Sequence, residues 1–265
     1  MISPLYGQLS PLRVPTQIRR AAVSDSDAEA YLQAVESADG QQLEQLVADS
    51  INSFVLGCKS DGIWSAIKAS CILAGARSLS GAIVPLVGAS PNNNNFVSAD
   101  YNRKTGLKGN GSTKTINPNR NNNSDPQNSK HIAVYVSQFH TRNVSRIDLG
   151  VNVVSVGSTH LRTAPSPDRR ATRVNYSTST LYNEATSNPG LWAASRYSAA
   201  GHHERFNQST LNFSTNSAVP LAGALTVFTS SDARLSFYSI GESLDLALLD
   251  TRVSTLMTAL AAAIP

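Results

Sequence analysis

Histidines, carboxylates and glycines capable of chemistry occur in this sequence, but their spacing completes no catalytic or metal-binding motif. His203 and Glu204 begin the His-Glu-x-x-His pattern of zinc proteases, yet Asn207 stands where the second histidine must lie. The glycine-rich stretch 106–111 is not followed by Gly-Lys-Ser/Thr, so it predicts a β-turn rather than a phosphate-binding loop. We therefore expect no catalytic residues, no metal and no cofactor.

Two neighbouring carboxylates near the C-terminus raise the alternative of glycoside hydrolysis. That reaction needs two carboxyl groups facing one bond, about 5–10 Å apart. Glu242 and Asp245 could share a helix face, but both fall in the predicted first turn of a terminal helix, where acidic residues are favoured by the helix dipole. A structural role is therefore the preferred interpretation of Glu242 and Asp245. A serine hydrolase is not supported either, because the sequence has no Gly-x-Ser-x-Gly motif.

A small aromatic group offers a different chemistry. Trp192, Tyr197, His202 and His203 surround a predicted strand and loop. Aromatic faces with polar groups beside them are a common way to hold a sugar, so these four residues are the candidate glycan-binding site. The alternative is ordinary core packing for the tryptophan and an exposed loop for the two histidines.

Composition limits the class of protein. The chain has 265 residues, 41% of them hydrophobic and 15% charged, as expected for a globular protein with a packed core. No apolar run approaches the roughly 18 residues of a membrane span, and two cysteines cannot form a disulfide scaffold. The N-terminus lacks a secretory leader pattern, so synthesis in a cytosol is expected.

The net charge of +4 raises the question of nucleic-acid binding. Arg169, Arg170 and Arg173 cluster together, but they form no longer basic run and no aromatic residues alternate with them. We interpret the cluster as a solvated turn and predict no specific nucleic-acid binding.

The order of the elements predicts four segments. Residues 1–23 form an extended docking arm in which three prolines interrupt Leu5, Tyr6, Leu9 and Leu12. Residues 24–85 form a helical module of three helices, the last across 63–71. Residues 86–240 form a β-sandwich, and residues 241–265 form a helix that packs back on the helical module.

The sandwich is predicted from short alternating runs separated by turn residues. In two of these runs the more polar residues alternate with apolar ones, as an antiparallel strand with one buried face requires. His131, Ala133 and Tyr135 alternate with Ile132, Val134 and Val136, and Arg234, Ser236 and Tyr238 alternate with Leu235 and Phe237. The predicted strands are 130–137, 147–156, 173–178, 191–197, 210–214, 224–229 and 234–240.

Three stretches resemble a family of phage and prophage virion proteins. They begin Ser60-Asp-Gly-Ile-Trp, Asp100-Tyr-Asn-Arg-Lys-Thr-Gly-Leu-Lys-Gly-Asn-Gly-Ser and Phe237-Tyr-Ser-Ile-Gly-Glu-Ser-Leu-Asp. In that family such motifs bracket a concanavalin-like (LamG-like) jelly roll. The resemblance covers roughly residues 30–265, and its motifs carry the fold rather than an active site.

The resemblance implies a non-enzymatic structural protein of a tailed phage or phage-like particle. It would be a tail, baseplate or spike appendage, present as a homo-oligomer, with a trimer as the first guess, that contacts other virion proteins through its arm and host-surface polysaccharide through the sandwich. The alternatives are a capsid decoration or head-fibre base protein without a ligand and, less favoured, a glycan depolymerase. The expected location is the virion, after synthesis in the host cytoplasm, without membrane insertion.

Overall fold

The computed structural model describes residues 20–140, 144–151, 153, 155–163, 169–183, 188–206 and 208–265. The arm residues Leu5, Tyr6, Leu9 and Leu12, for which docking was predicted, lie outside these ranges.

The described residues form helices at both ends and strands between them. The α-helices are α1 (Ser26–Asp39), α2 (Gln45–Ser60), α3 (Leu79–Ala82) and α4 (Leu246–Ala263). The strands are β1 (Ile67–Ile72), β2 (Asn92–Asn94), β3 (Tyr101–Asn102), β4 (Gly106–Lys108), β5 (Thr115–Asn117), β6 (Lys130–Gln138), β7 (Arg146–Gly150), β8 (Ser158–Thr163), β9 (Arg169–Tyr176), β10 (Thr180–Asn183), β11 (Gly190–Arg196), β12 (Gly201–Phe206), β13 (Ser209–Ser214), β14 (Thr226–Val227) and β15 (Arg234–Gly241).

The strands pair into two antiparallel sheets. Sheet A has the order β13-β12-β11-β6-β15-β4-β3, with β1 also paired to β15. Sheet B has the order β10-β9-β8-β7-β14-β5-β2. Neighbours that are distant in sequence, such as β6 beside β15, give the crossed connections of a sandwich rather than a simple meander. The predicted β-sandwich with flanking helices is confirmed.

Two apolar cores divide the molecule into three layers. One core fills the space between the sheets and contains Val134, Leu161 and Trp192. The other lies between the outer face of sheet A and the helices, where Phe237 of β15 meets Phe54 of α2. Helix α4 packs against α2 and also crosses β11 and β12. Sheet A is therefore covered on both faces.

Helix α1 begins and ends where its residues favour it. Asp25 caps α1 by accepting hydrogen bonds from the backbone N–H groups of Asp27 and Ala28. Gly40 ends the same helix in the left-handed conformation, with φ of 69°. The predicted third helix is wrong, because the chain forms only a short 3₁₀ turn at Trp64–Ala66 and then strand β1.

The outer face of sheet A corrects the prediction of a solvated side. His131 and Ala133 of β6 were expected to face water, yet both are fully buried. Ala133 belongs to the helical core, and the His131 ring is hydrogen-bonded to Glu242 and Ser239. Leu235 and Phe237 were expected to share one face. A register shift between them sends Leu235 to the inter-sheet core and Phe237 to the helical core.

Helix α4 begins later than predicted. Strand β15 continues through Gly241, and the side chain of Asp245 caps the helix by accepting from Ala247 and Leu248. The 18-residue helix has the length and mean hydropathy, 1.3, of a membrane span. Its Asp250 pairs with Arg205 and its Arg252 with Asp61, so here it serves as a core helix of the packed domain.

Candidate functional site

The alternation of side chains along β11 and β12 separates the four candidate glycan-binding residues into two pairs. Trp192 and His202 point between the sheets, where they are 1% and 0% exposed. Tyr197 and His203 lie on the outer side of sheet A, and Tyr197 is 51% exposed. The expectation that all four form one face is wrong, since side chains in a strand alternate between its faces.

The ring of Trp192 packs against the guanidinium group of Arg170. The guanidinium carbon of Arg170 lies 4.6 Å from the centre of the Trp192 ring and 3.3 Å from that of Phe206. Such contacts stabilise a cation inside a protein by roughly 2 kcal/mol. The predicted solvated arginine turn is also wrong, because Arg170 and Arg173 lie in strand β9 and are only 5% and 7% exposed.

His202 belongs to a buried hydrogen-bond chain. Its Nδ1 lies 2.8 Å from the hydroxyl of Thr215 and its Nε2 lies 3.0 Å from a carboxylate oxygen of Glu204. Arg196 donates to that same Thr215 hydroxyl and to the carbonyl oxygen of Val174. These contacts give His202 a structural role in holding β11, β12 and the loop after β13 together.

The exposed Tyr197 and the half-buried His203 form an aromatic pair. Ser195 and His203 are directly opposite in the β11–β12 register, and Tyr197 follows just beyond the end of β11. The Tyr197 and His203 ring centres are 4.3 Å apart, with the planes inclined at 47°. A Cβ at Gly201 would come within 2.6 Å of the Tyr197 hydroxyl, so the glycine makes room for the tyrosine to lie over β12.

The segment that connects β15 to α4 forms the facing wall. The backbone N–H of Leu244 donates to the Ser195 hydroxyl at 3.1 Å, and that of Ser243 donates to the Ser129 hydroxyl at 3.1 Å. These bonds hold the segment against β11 and the start of β6. Asp245 follows at the N-cap of α4, and its Oδ1 accepts both capping hydrogen bonds.

Together these residues line an open cleft of about 380 Å³, a size common for small-molecule sites. Asp245 is exposed, and within the described part of the chain no hydrogen bond uses its Oδ2. The cleft thus offers an aromatic face, a carboxylate acceptor and the Thr210 hydroxyl. An apolar ring face that carries hydroxyl groups, as in a sugar, matches this set of groups.

The second carboxylate needed for hydrolysis does not join this cleft. Glu242 forms an ion pair with Lys68, with 3.0 Å between the nitrogen and oxygen. Asp245 is the one acidic residue among the described residues that line the cleft. The arrangement fits binding better than two-carboxylate glycoside hydrolysis.

Sequence reasoning missed the residues on the wall of this cleft. Thr210 was placed only as part of a strand, and Asp245 was interpreted as a residue of the first helical turn. The approach of Asp245 to Tyr197 depends on α4 crossing β11 and β12, which is a long-range contact. Thr210 is placed by the pairing of β13 with β12. Recognition of 201–206 as a strand would have separated His202 from His203, because consecutive residues of a strand face opposite sides.

Among solved structures, the chain is similar to the binding domain of botulinum neurotoxin serotype D. The TM-score is 0.51 with 10% identical residues over 72% of this chain and 51% of that one, so this chain spans about half its length. Trypanosoma rangeli sialidase is similar at a TM-score of 0.48 and 11% identity, covering 79% of this chain and 38% of that chain.

No family model and no curated protein sequence matches the chain. At about 10% identity, the likeness to the toxin domain shows the fold and nothing about a shared site. The chain is an antiparallel β-sandwich with a layer of helices on one sheet.

Proposed function

We propose that this protein is a non-catalytic glycan-binding module of a tailed-phage or phage-like particle, presented in several copies as a tail, baseplate or spike appendage. The cleft between the Tyr197–His203 pair and the N-cap of α4 binds the sugar. One weak site per copy is sufficient, because simultaneous binding by several copies raises avidity by about 10²–10⁴.

The observation that carries the binding role is the exposed position of Tyr197. An aromatic side chain that remains 51% exposed, beside a second ring and a carboxylate, provides a stacking surface prepared before any ligand arrives. The tyrosine is held there by the close fit of its hydroxyl over Gly201. Little conformational freedom is then lost on binding.

The particle role is supported by the three stretches that resemble virion proteins and by the apolar composition of residues 1–23. Leu5, Tyr6, Leu9 and Leu12 make this segment too apolar for a solvated tail. An arm of this kind requires another protein surface to cover it. Its partners would be further copies of the chain and other virion proteins, and mass spectrometry of purified particles tests this assignment.

Replacing Tyr197 by Ala is expected to weaken glycan binding at least tenfold, because the stacking surface is lost. A glycan array first identifies the ligand, and calorimetry with that glycan then measures Kd for each variant. Tyr197→Phe keeps the ring and is expected to stay within threefold of the parent protein. Val219→Ala, at a 77% exposed position outside the cleft, serves as the control for indirect effects.

Two results would contradict the proposal. If Tyr197→Ala and Val219→Ala bind the glycan equally well, the cleft is not the site. If no glycan on the array binds while the chain is present in purified particles, the protein is a decoration or head-fibre base protein without a sugar ligand.

A further inference from the structure

A second cleft lies between two helices on the side of the helical layer that faces away from sheet A. It has a volume of about 490 Å³ and is formed by one face of α2 and one face of α4. Leu46 lies at its open end, near the N-terminus of α2, and Phe54 and Leu256 form its floor. On the α4 side it is lined by the short side chains of Ala259 and Ala262.

Apolar side chains from both helices line this groove, beside the hydroxyl groups of Ser50, Ser53 and Thr255. Leu46 is 65% exposed, although leucine at a helix surface gains stability only when it is covered. The groove spans Leu46 to Phe54, a distance of about 12 Å along the helix axis. It therefore has room for a short segment with a few apolar side chains.

Arg20 and Ala21, which belong to the N-terminal arm of residues 1–23, lie at the same end of α2. The backbone N–H of Arg20 donates to the side chain of Gln42, and that of Ala21 donates to the side chain of Gln45 at 2.7 Å. Gln45 immediately precedes Leu46. The arm is thus tethered at the open end of the groove.

The direction of the chain favours a groove on another copy. From Ala21 at Gln45 the chain runs to Asp25, which bonds to Asn52 and Lys59, so it follows α2 in the direction of that helix. At Ala21 the described chain therefore points towards the N-terminal end of α2, opposite to the direction in which the groove runs from Leu46 to Phe54. Prolines at 4, 11 and 15 favour extended backbone, in which 19 residues reach about 65 Å.

The charges of the arm and groove are complementary. Residues 1–19 contain Arg13 and Arg19 and no acidic residue. The carboxylate of Asp49 is exposed on the groove wall, where it accepts from Gln45. The guanidinium of Arg252, the groove's cation, is already held by both carboxylate oxygens of Asp61 at 2.7 Å. Arg13, which follows Leu12 directly, can therefore approach Asp49 without meeting an unpaired positive charge.

From these observations we propose that the α2–α4 groove binds the N-terminal arm of a second copy of this chain. Leu5, Leu9 and Leu12 supply the apolar contacts, and Arg13 lies near Asp49. The interaction links neighbouring copies through the helical layer, at residues distinct from those that line the glycan cleft.

Thiol labelling of the full-length chain tests whether the groove is covered. Leu46→Cys introduces a reactive thiol in the groove, whereas the natural Cys58 and Cys71 are fully buried. The thiol at position 46 is expected to react about tenfold more slowly than one introduced by Leu248→Cys, which is on α4 outside the groove. Adding Leu5→Ser, Leu9→Ser and Leu12→Ser is expected to restore fast labelling at position 46.

Cross-linking identifies the occupant. A chain with Leu9→Cys is mixed with a chain with Leu46→Cys and treated with a short bismaleimide, which is expected to give a product of two chains. Labelling at position 46 as fast as at 248 would overturn the proposal. The proposal would also be overturned if a chain that carries both Leu9→Cys and Leu46→Cys gave only products cross-linked within a single chain. Ala262→Cys on the opposite wall repeats both measurements in case Leu46→Cys itself weakens docking.

Discussion

Phe237→Ala lowers the free energy of unfolding by about 3–5 kcal/mol, the usual cost of deleting a buried aromatic ring. Phe237 is fully buried on the outer face of β15, and its ring meets that of Phe54 edge-on at a centroid distance of 5.8 Å. The substitution removes an aromatic contact between α2 and sheet A and leaves a cavity in the helical core.

Urea unfolding monitored by circular dichroism measures this loss. Val219→Ala removes two methyl groups from a 77% exposed side chain and is expected to change the free energy of unfolding by less than 0.5 kcal/mol. A loss below about 1 kcal/mol for Phe237→Ala would mean that the helical layer does not pack on the sheet as described.

Acidification from pH 7 to pH 5 lowers the free energy of unfolding by about 4 kcal/mol through two buried histidines. Burial lowers the pKa of His131 from 6.5 to about 4. Burial, reinforced by Arg173 and Arg162, lowers the pKa of His160 to about 3. At pH 5 both are protonated in the unfolded chain and neutral in the folded one, which costs about 2 kcal/mol each at 1.4 kcal/mol per pKa unit.

The sign follows from where each proton binds. Above pH 6.5 the two histidines are neutral in both states and do not reduce the free energy of unfolding. As the pH falls from 6.5 towards 4 and 3, the histidines bind protons in the unfolded chain but stay neutral in the folded one, so the free energy of unfolding decreases. For His131 the neutral ring fits its contacts, since Nδ1 donates to the Glu242 carbonyl and Nε2 accepts from the Ser239 hydroxyl.

Urea unfolding of the parent and of the His131→Gln, His160→Gln double variant at both pH values checks this expectation. Glutamine can donate and accept as histidine does but does not titrate. The double variant should lose less than about 1 kcal/mol between pH 7 and pH 5. An equal loss in both proteins would assign the acid sensitivity to other groups.

The sequence predicted the elements whose signals are local. Asp25 and Gly40 mark the ends of α1, and the alternation in 130–137 lies within the observed β6. Strand β1 was mistaken for a helix because Ile67 and Cys71 have helical spacing, while burial on both faces removes the alternation of a strand. The short strands β2 and β5 lie among asparagines that predict turns.

The candidate site could be predicted only in part. The sequence placed an aromatic group at the end of β11, but the positions of its members depend on alternation within β12, which was interpreted as a loop. The sandwich interior also holds charged residues such as Arg196 and Glu204, and these hide the apolar alternation of β11 and β12. The position of Asp245 on the facing wall of the cleft depends on the packing of α4, which no local pattern specifies.

Nuclear magnetic resonance of the isotope-labelled protein, titrated with the glycan found on the array, locates the bound sugar directly. We expect the largest shifts at the ring protons of Tyr197 and His203, with smaller ones at Asp245, and little change at the buried rings of Trp192 and His202. Shifts concentrated on sheet B or in the α2–α4 groove, with the Tyr197 and His203 rings unaffected at saturation, would contradict binding in the Tyr197–His203 cleft.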